Sequence, residues 1–417
     1  MKIAQRATAA AALLSLLAAC SGGTGRERVT AAATASPTTS SSPGPGASPA
    51  PTHSRQWKGA GKLSLEPDAG VADIVATGPR QAWAHAFQDA EFEEDPGFGV
   101  VFRWNGSTWS RLPDPPIFGY GSFDATGPDD LWIAGSDTVA HWDGRRWTQQ
   151  RPFGISKDEV FDDIATDGDT VVLIGTRADG RPFTATGGRG RFRLESGPSQ
   201  GRFSAVTARS GHAWMVGAAP NEDCTDIGPA VEHSVKEDRE GYRRWRTMSL
   251  PLAPGGTLTS VAQISPTDVW AVGKVVRSSQ TRRSAADSCD EWVAHVMHEE
   301  EDLTVVPLVM HWDGRSWQRV APPPMNATLT GVTAVGPDDV WILGHDLDRP
   351  GDALFLHFDG KNWTREYAPN GKMRVVAAIP GSKDVWAVGE TGVYGDYAPG
   401  GEAVVLRRDG RVRPGRA

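Results

Sequence analysis

The chain has 417 residues and carries 43 Lys and Arg against 51 Asp and Glu, a net charge of -8. Its basic residues are scattered, which leaves no electrostatic footprint for a phosphate backbone and excludes nucleic acid as an expected partner. The 48 Gly and 16 Trp beside only 5 Tyr suit many short strands joined by tight turns, an all-β composition.

The first twenty residues read as an export signal. Lys2 and Arg6 form a charged start, an apolar stretch runs from Ala7 to Ala19, and Cys20 follows Leu17-Ala18-Ala19. The stretch is too short to span a bilayer. Leu-Ala-Ala-Cys at this place resembles the bacterial lipobox, which implies cleavage before Cys20 and a diacylglyceryl group on its sulfur. Two acyl chains on one thiol hold stably where a single chain does not. Residues 21–55 contain almost nothing but Ser, Thr, Pro, Ala and Gly, too little apolar surface to offset ordering entropy. They are expected to be a disordered tether, about 30 to 35 Å end to end as a coil. The expectation is a head at 56–417 outside the cytoplasm, lipid-anchored to the outer face of the bacterial cytoplasmic membrane.

From Trp57 on, one unit recurs. Its clearest copy runs Leu258-Thr259-Ser260-Val261-Ala262, then Asp268-Val269-Trp270-Ala271-Val272-Gly273, an insertion, then His311-Trp312-Asp313-Gly314-Arg315-Ser316-Trp317. Four strands, a to d, fit this unit. Pro266 suits a type I turn between a and b, and Asp313-Gly314 a two-residue hairpin with positive backbone angles between c and d. The b-strand signature occurs at Trp83, Trp132, Trp214, Trp270, Trp341 and Trp386, and once around Val172. That predicts seven units. The c–d hairpin is degraded in the third and fourth. Both faces of the b strands are apolar, as expected of a sheet packed between two others, whereas a two-sheet sandwich would leave one face polar. The expected fold is a seven-bladed β-propeller. Trp57 precedes Trp83 by 26 residues, close to the 23 to 25 that separate d-strand aromatics from the next b strand elsewhere. Trp57 therefore reads as a d strand that completes the last blade and closes the ring.

The Asp-Val-Trp-Ala-Val-Gly and His-Trp-Asp-Gly-x-x-Trp pair resembles the repeats of secreted actinobacterial propeller lipoproteins, and more distantly those of kelch and galactose-oxidase-type propellers. The resemblance implies the fold and a surface location. Kelch strands end in a double Gly where this chain has single Gly273, Gly344 and Gly389. The copper-site Tyr and Cys of galactose oxidase have no counterpart.

The insertions fall between b and c, so binding loops are expected on one face of the ring. Cys224 and Cys289 lie in the b–c insertions of blades four and five and are expected to form a disulfide, the alternatives being two free thiols or a dimer bridge. A short helix there would align Glu291, His295, His298, Glu299 and Asp302, types that could ligate a divalent metal or simply make a polar face. Trp292 is the one indole outside the repeat, either a ligand anchor or a pin for its own loop. His345, Asp346, Asp348 and Arg349 follow directly from the end of a b strand and are candidate binding residues. His141, His311 and His357 recur at one repeat position and read as structural. No nucleophile elbow, phosphate loop or zinc-protease motif is present. The expectation is a monomeric binding or scaffold head for a protein, peptide or wall glycan, with no cofactor. The alternatives are a propeller lyase or hydrolase at the channel mouth and a structural coat component.

Overall fold

The computed structural model describes residues 54–89, 97–117, 121–135, 138–157, 159–195, 197–198, 200–237, 243–276, 288–298, 305–369, 371–392 and 401–410. All lie in one compact unit, Ala50–Ala417. They form seven antiparallel sheets of four strands each, and in six of them the strands follow one another in chain order. The seventh is completed from the other end of the chain. Trp57–Gly59 pairs with Ala403–Arg408, Trp57 opposite Arg408 and Gly59 opposite Leu406. This is the closing strand that the Trp57 spacing anticipated.

The a strands are innermost and touch in succession around the ring, blade 7 meeting blade 1. Apolar residues on both faces of each b strand then feed seven separate cores, one between each pair of neighbouring blades. Each is a slab between two sheets, which is why Val340-Trp341-Ile342-Leu343 is fully apolar and buried on both sides. Trp57 joins the core between blades 6 and 7. Its ring stacks on Phe355 at 3.9 Å and meets Trp341 edge-on at 5.9 Å.

The c–d hairpin differs from expectation. Trp312 pairs with Trp317, leaving a four-residue turn. Only Gly314 takes positive φ, at 90°. Asp313 N–H donates to the Ser316 carbonyl at 3.3 Å and the Asp313 carboxylate accepts the N–H groups of Arg315 and Ser316, both at 2.8 Å, so backbone and side chain close the turn together around Gly314-Arg315.

Three blades share an internal triad. Asp130, Asp268 and Asp339 open strand b and bind Nε2 of His141, His311 and His357 at 2.7 to 2.8 Å. Each imidazole lies flat on the b-strand indole, 4.1 to 4.3 Å between centroids. Blade 4 places His212 where the others have Asp. Its Nδ1 meets His233 Nε2 at 3.0 Å, and His233 stacks on Trp214.

Candidate binding face

Strand direction sorts the connections. The a–b and c–d hairpins share one face, and the b–c and d–a connections share the other, here called the loop face. Large apolar side chains exposed to solvent concentrate on the loop face. Phe98 (64% exposed) opens strand c of blade 1, Val160 opens strand a of blade 3, and Leu252 (92%) lies in the linker between blades 4 and 5, whereas Phe153 (87%), in the linker between blades 2 and 3, lies at the outer edge beside the c–d hairpin of blade 3. Val235, at the end of a c strand, is the counterpart on the hairpin face among the described residues.

Part of the loop face is braced covalently. Cys224 and Cys289 form a disulfide with 5.9 Å between Cα atoms, tying the b–c turn of blade 4 to helix α1 (Cys289–His298) in the insertion of blade 5. The turn is folded by Asn221, whose side-chain oxygen accepts the N–H groups of Thr225 and Asp226 at 2.8 and 3.1 Å. Trp292, Val293, Val296 and Met297 give α1 an apolar stripe, buried against Ala218, Ile227, Val276 and Val305. At 2% exposure Trp292 pins its insertion to the ring. The side chains of Glu291, His295 and His298, and all of Glu299 and Asp302, lie outside the described residues. Among the described residues no three His, Cys, Asp or Glu side chains group as metal ligands.

His345, Asp346, Asp348 and Arg349 come together, but largely around one another. Arg349 N–H donates to the Asp346 carbonyl at 2.9 Å and Asp348 N–H to the Asp346 carboxylate at 3.1 Å, making a tight turn. Asp346 is buried and accepts the Tyr367 hydroxyl at 2.5 Å. Burial, then that neighbouring carboxylate, pushes Tyr367 up to about 12. The Arg349 guanidinium pairs with Asp352 and lies 4.2 Å from the Tyr367 ring centroid. Burial, reinforced by Lys372, lowers His345 to about 3, so it is neutral. The exposed member of the four is Asp348, which accepts Asn326 Nδ2 at 3.3 Å.

A second group of acids, not singled out by sequence, lines the inner strands of blades 1 to 3. Asp73 accepts Phe123 N–H at 3.4 Å, Asp124 accepts Thr166 N–H at 2.7 Å, and Asp163 accepts Val206 N–H at 2.7 Å. Each carboxylate therefore laces its own blade to a following one. Ser122 also donates to Asp163. Ser260 and Thr333 do the same with hydroxyls in blades 5 and 6. Burial raises all three acids: Asp73, with Asp163 nearby, to about 8, Asp163 to about 6, and Asp124 in the same direction. Their shared signal is an Asp at the third or fourth position of the a strand.

No family model and no curated protein matches the chain. Solved structures do. A puromycin-hydrolyzing peptidase of Mycobacterium tuberculosis aligns over 83% of this chain and 52% of its own, at 14% identity and a TM-score of 0.51. The extracellular domain of the putative one-component system BT4673 from B. thetaiotaomicron aligns over 84% and 40%, at 9% and 0.48. YCF48 bound to D1 peptide aligns over 87% and 98%, at 12% and 0.34. This chain spans about half the length of the peptidase. At such identity the likeness is one of fold, a β-propeller, and carries nothing about activity.

Proposed function

We propose that the protein is an exported, lipid-anchored binding module, held to the outer face of the cytoplasmic membrane through Cys20, whose propeller head grips a protein, peptide or wall glycan with its loop face. The observation that carries this reading is the concentration of exposed Phe98, Val160 and Leu252 on that one face. Exposed large apolar side chains are what a contact surface uses, and the disulfide with α1 holds part of the same face rigid before a ligand arrives. The resemblance to secreted propeller lipoproteins agrees with the compartment.

The test is capture from intact cells. Parent, Phe98→Asp/Leu252→Asp and Val235→Asp chains are displayed at equal level, cross-linked, and their adducts compared. Adducts retained by Val235→Asp and lost by the loop-face pair support the reading; equal adducts from all three refute it. Cys20→Ser should release the chain from the membrane fraction.

One observation favours a second reading, a hydrolase or lyase at the mouth of the ring. Burial raises both Asp73 and Asp163, to about 8 and about 6, and the two lie close enough on the inner strands for the Asp163 charge to raise Asp73 further, coupled carboxyl groups of the kind acid–base chemistry uses. Turnover of wall glycan or peptide that disappears in Asp73→Asn, which the raised Asp73 range predicts to be no less stable than the parent at pH 8, would favour it over binding alone.

A further inference from the structure

The c–d hairpin of blade 3 lacks something its sisters have. In blade 2, Trp142 ends strand c, a four-residue turn follows, and Trp147 opens strand d opposite it, the rings 5.4 Å apart. Blade 1 repeats this with Trp104 and Trp109 at 5.3 Å, and blade 5 with Trp312 and Trp317 at 6.1 Å. In blades 1 and 2 the d-strand indole reaches the linker arriving from the preceding blade. Trp109 Nε1 donates to the Ala60 carbonyl at 2.9 Å and Trp147 Nε1 to the Pro113 carbonyl at 2.7 Å.

In blade 3, Thr186 pairs with Arg193, so the same two places fall to Gly187 and Phe192 across Gly188-Arg189-Gly190-Arg191. The Phe192 ring lies over Gly187, where a Cβ would meet it at 2.7 Å. Phe192 is buried and faces Trp132 edge-on at 6.1 Å. One phenyl ring thus stands in for the strand-c indole, and the place of the strand-d indole is left over. There the structure has an open groove of about 1040 Å³, bounded by Gly187, Phe192 and Leu194 on one side and by Phe153 and Gly154 of the incoming linker on the other.

Its rim is basic on a chain of net charge -8. Arg189, Arg191 and Arg193 all line the groove and are exposed. Arg189 reaches Asp130 at 3.4 Å. Of the two acids present, Glu195 is engaged by Arg243 N–H and Trp245 Nε1 at 2.8 and 3.0 Å, and Asp169 is exposed.

We propose that this groove receives an aromatic side chain, best an indole, carried on an acidic segment of a partner polypeptide. The sister blades supply the ligand chemistry, a flat apolar ring whose N–H finds a linker carbonyl, and the arginines supply the charge preference. A polyanionic glycan would satisfy the arginines but bring no ring for the vacated place. The site is on the outer edge of blade 3 and does not depend on Phe98 or Leu252, so it stands or falls apart from the loop-face reading.

The test uses the full chain and a labelled heptapeptide of one tryptophan flanked by three glutamates on each side, with an alanine-centred control, read by fluorescence anisotropy. The tryptophan peptide is expected to bind about ten-fold or more tightly than the control, a difference of about 1.4 kcal/mol. Gly190→Trp, at a groove-lining position where a Cβ meets nothing within 4 Å, fills the groove from within. It should lose that binding while melting no lower than the parent. Arg191→Glu, a surface change that leaves packing intact, should weaken the peptide about ten-fold and keeps the proposal testable if Gly190→Trp misfolds. Equal affinity for the two peptides, or binding undiminished in both variants, overturns it. So does a wall polyanion that binds in place of either peptide without discriminating between them.

Discussion

Truncating Trp57 to alanine should cost about 4 kcal/mol and unfasten the ring. The indole is 7% exposed, so the change removes a buried aromatic from the core between blades 6 and 7. Such truncations cost about 3–5 kcal/mol, a figure that already contains the stacking on Phe355 and Trp341. The indole N–H donates to Glu366 at 3.1 Å. Glu366 keeps both contacts to Arg408, at 2.9 and 3.2 Å, so no buried carboxylate is orphaned and no further penalty is due. Trp57→Phe keeps most of the ring and loses the N–H, and should cost about 1 kcal/mol. Urea unfolding followed by circular dichroism gives both numbers. The alanine variant should also add an early transition as blade 7 frays, since its outer strand has three residues. A loss below about 1 kcal/mol for Trp57→Ala, with one transition retained, would refute the claim that this strand closes the ring.

Reducing the Cys224–Cys289 bond, which spans 65 residues, should lower stability by roughly 4 kcal/mol in the chain-entropy model; an unchanged urea midpoint under reductant would contradict it. Asp73→Asn should be more stable than the parent at pH 8 and lose that advantage towards pH 4. A folded-state pKa raised from 3.8 to about 8 contributes stability at low pH that is lost as pH rises through this window, and Asn does not titrate. Thermal melts across that range check the sign. His212→Asp restores in blade 4 the Asp, His and Trp arrangement of blades 2, 5 and 6 and should stabilise the protein by about 1 kcal/mol near pH 5. There the parent is losing stability, because burial, then His212 and the nearby Arg243 and Arg246, holds His233 down at about 4 against an ordinary 6.5, with Asp167 opposing on the His212 side. A parent whose melting temperature is flat between pH 6.5 and 4 would count against this.

Some of the candidate site was legible and some was not. Cys224 and Cys289 could be paired on paper because blade order puts consecutive b–c insertions side by side. The hairpin turns on Gly314-Arg315 rather than on Asp313-Gly314, because the Asp313 carboxylate takes two backbone N–H groups across the turn, which leaves no mark in the dipeptide. His345, Asp346 and Arg349 looked like a binding set because their chemistry is polar. Only the packing of Tyr367 and Asp352 against them reveals that their polar groups are used internally. The lacing acids Asp73, Asp124 and Asp163 were missed because each acts on a different blade, 42 to 50 residues away.

The sequence by itself determined the number of blades, the strand order and the closure at Trp57, because each depends on local periodicity and on a repeat that must bury both faces of every sheet. It also determined where the insertions go, since strand direction alternates. Tertiary structure alone decided which large apolar side chains reach solvent, which buried carboxylates have their protonation range raised, and that the missing indole of blade 3 leaves a groove rather than a collapsed core. Those outcomes depend on how two neighbouring blades share one space, and no single blade encodes the space between two.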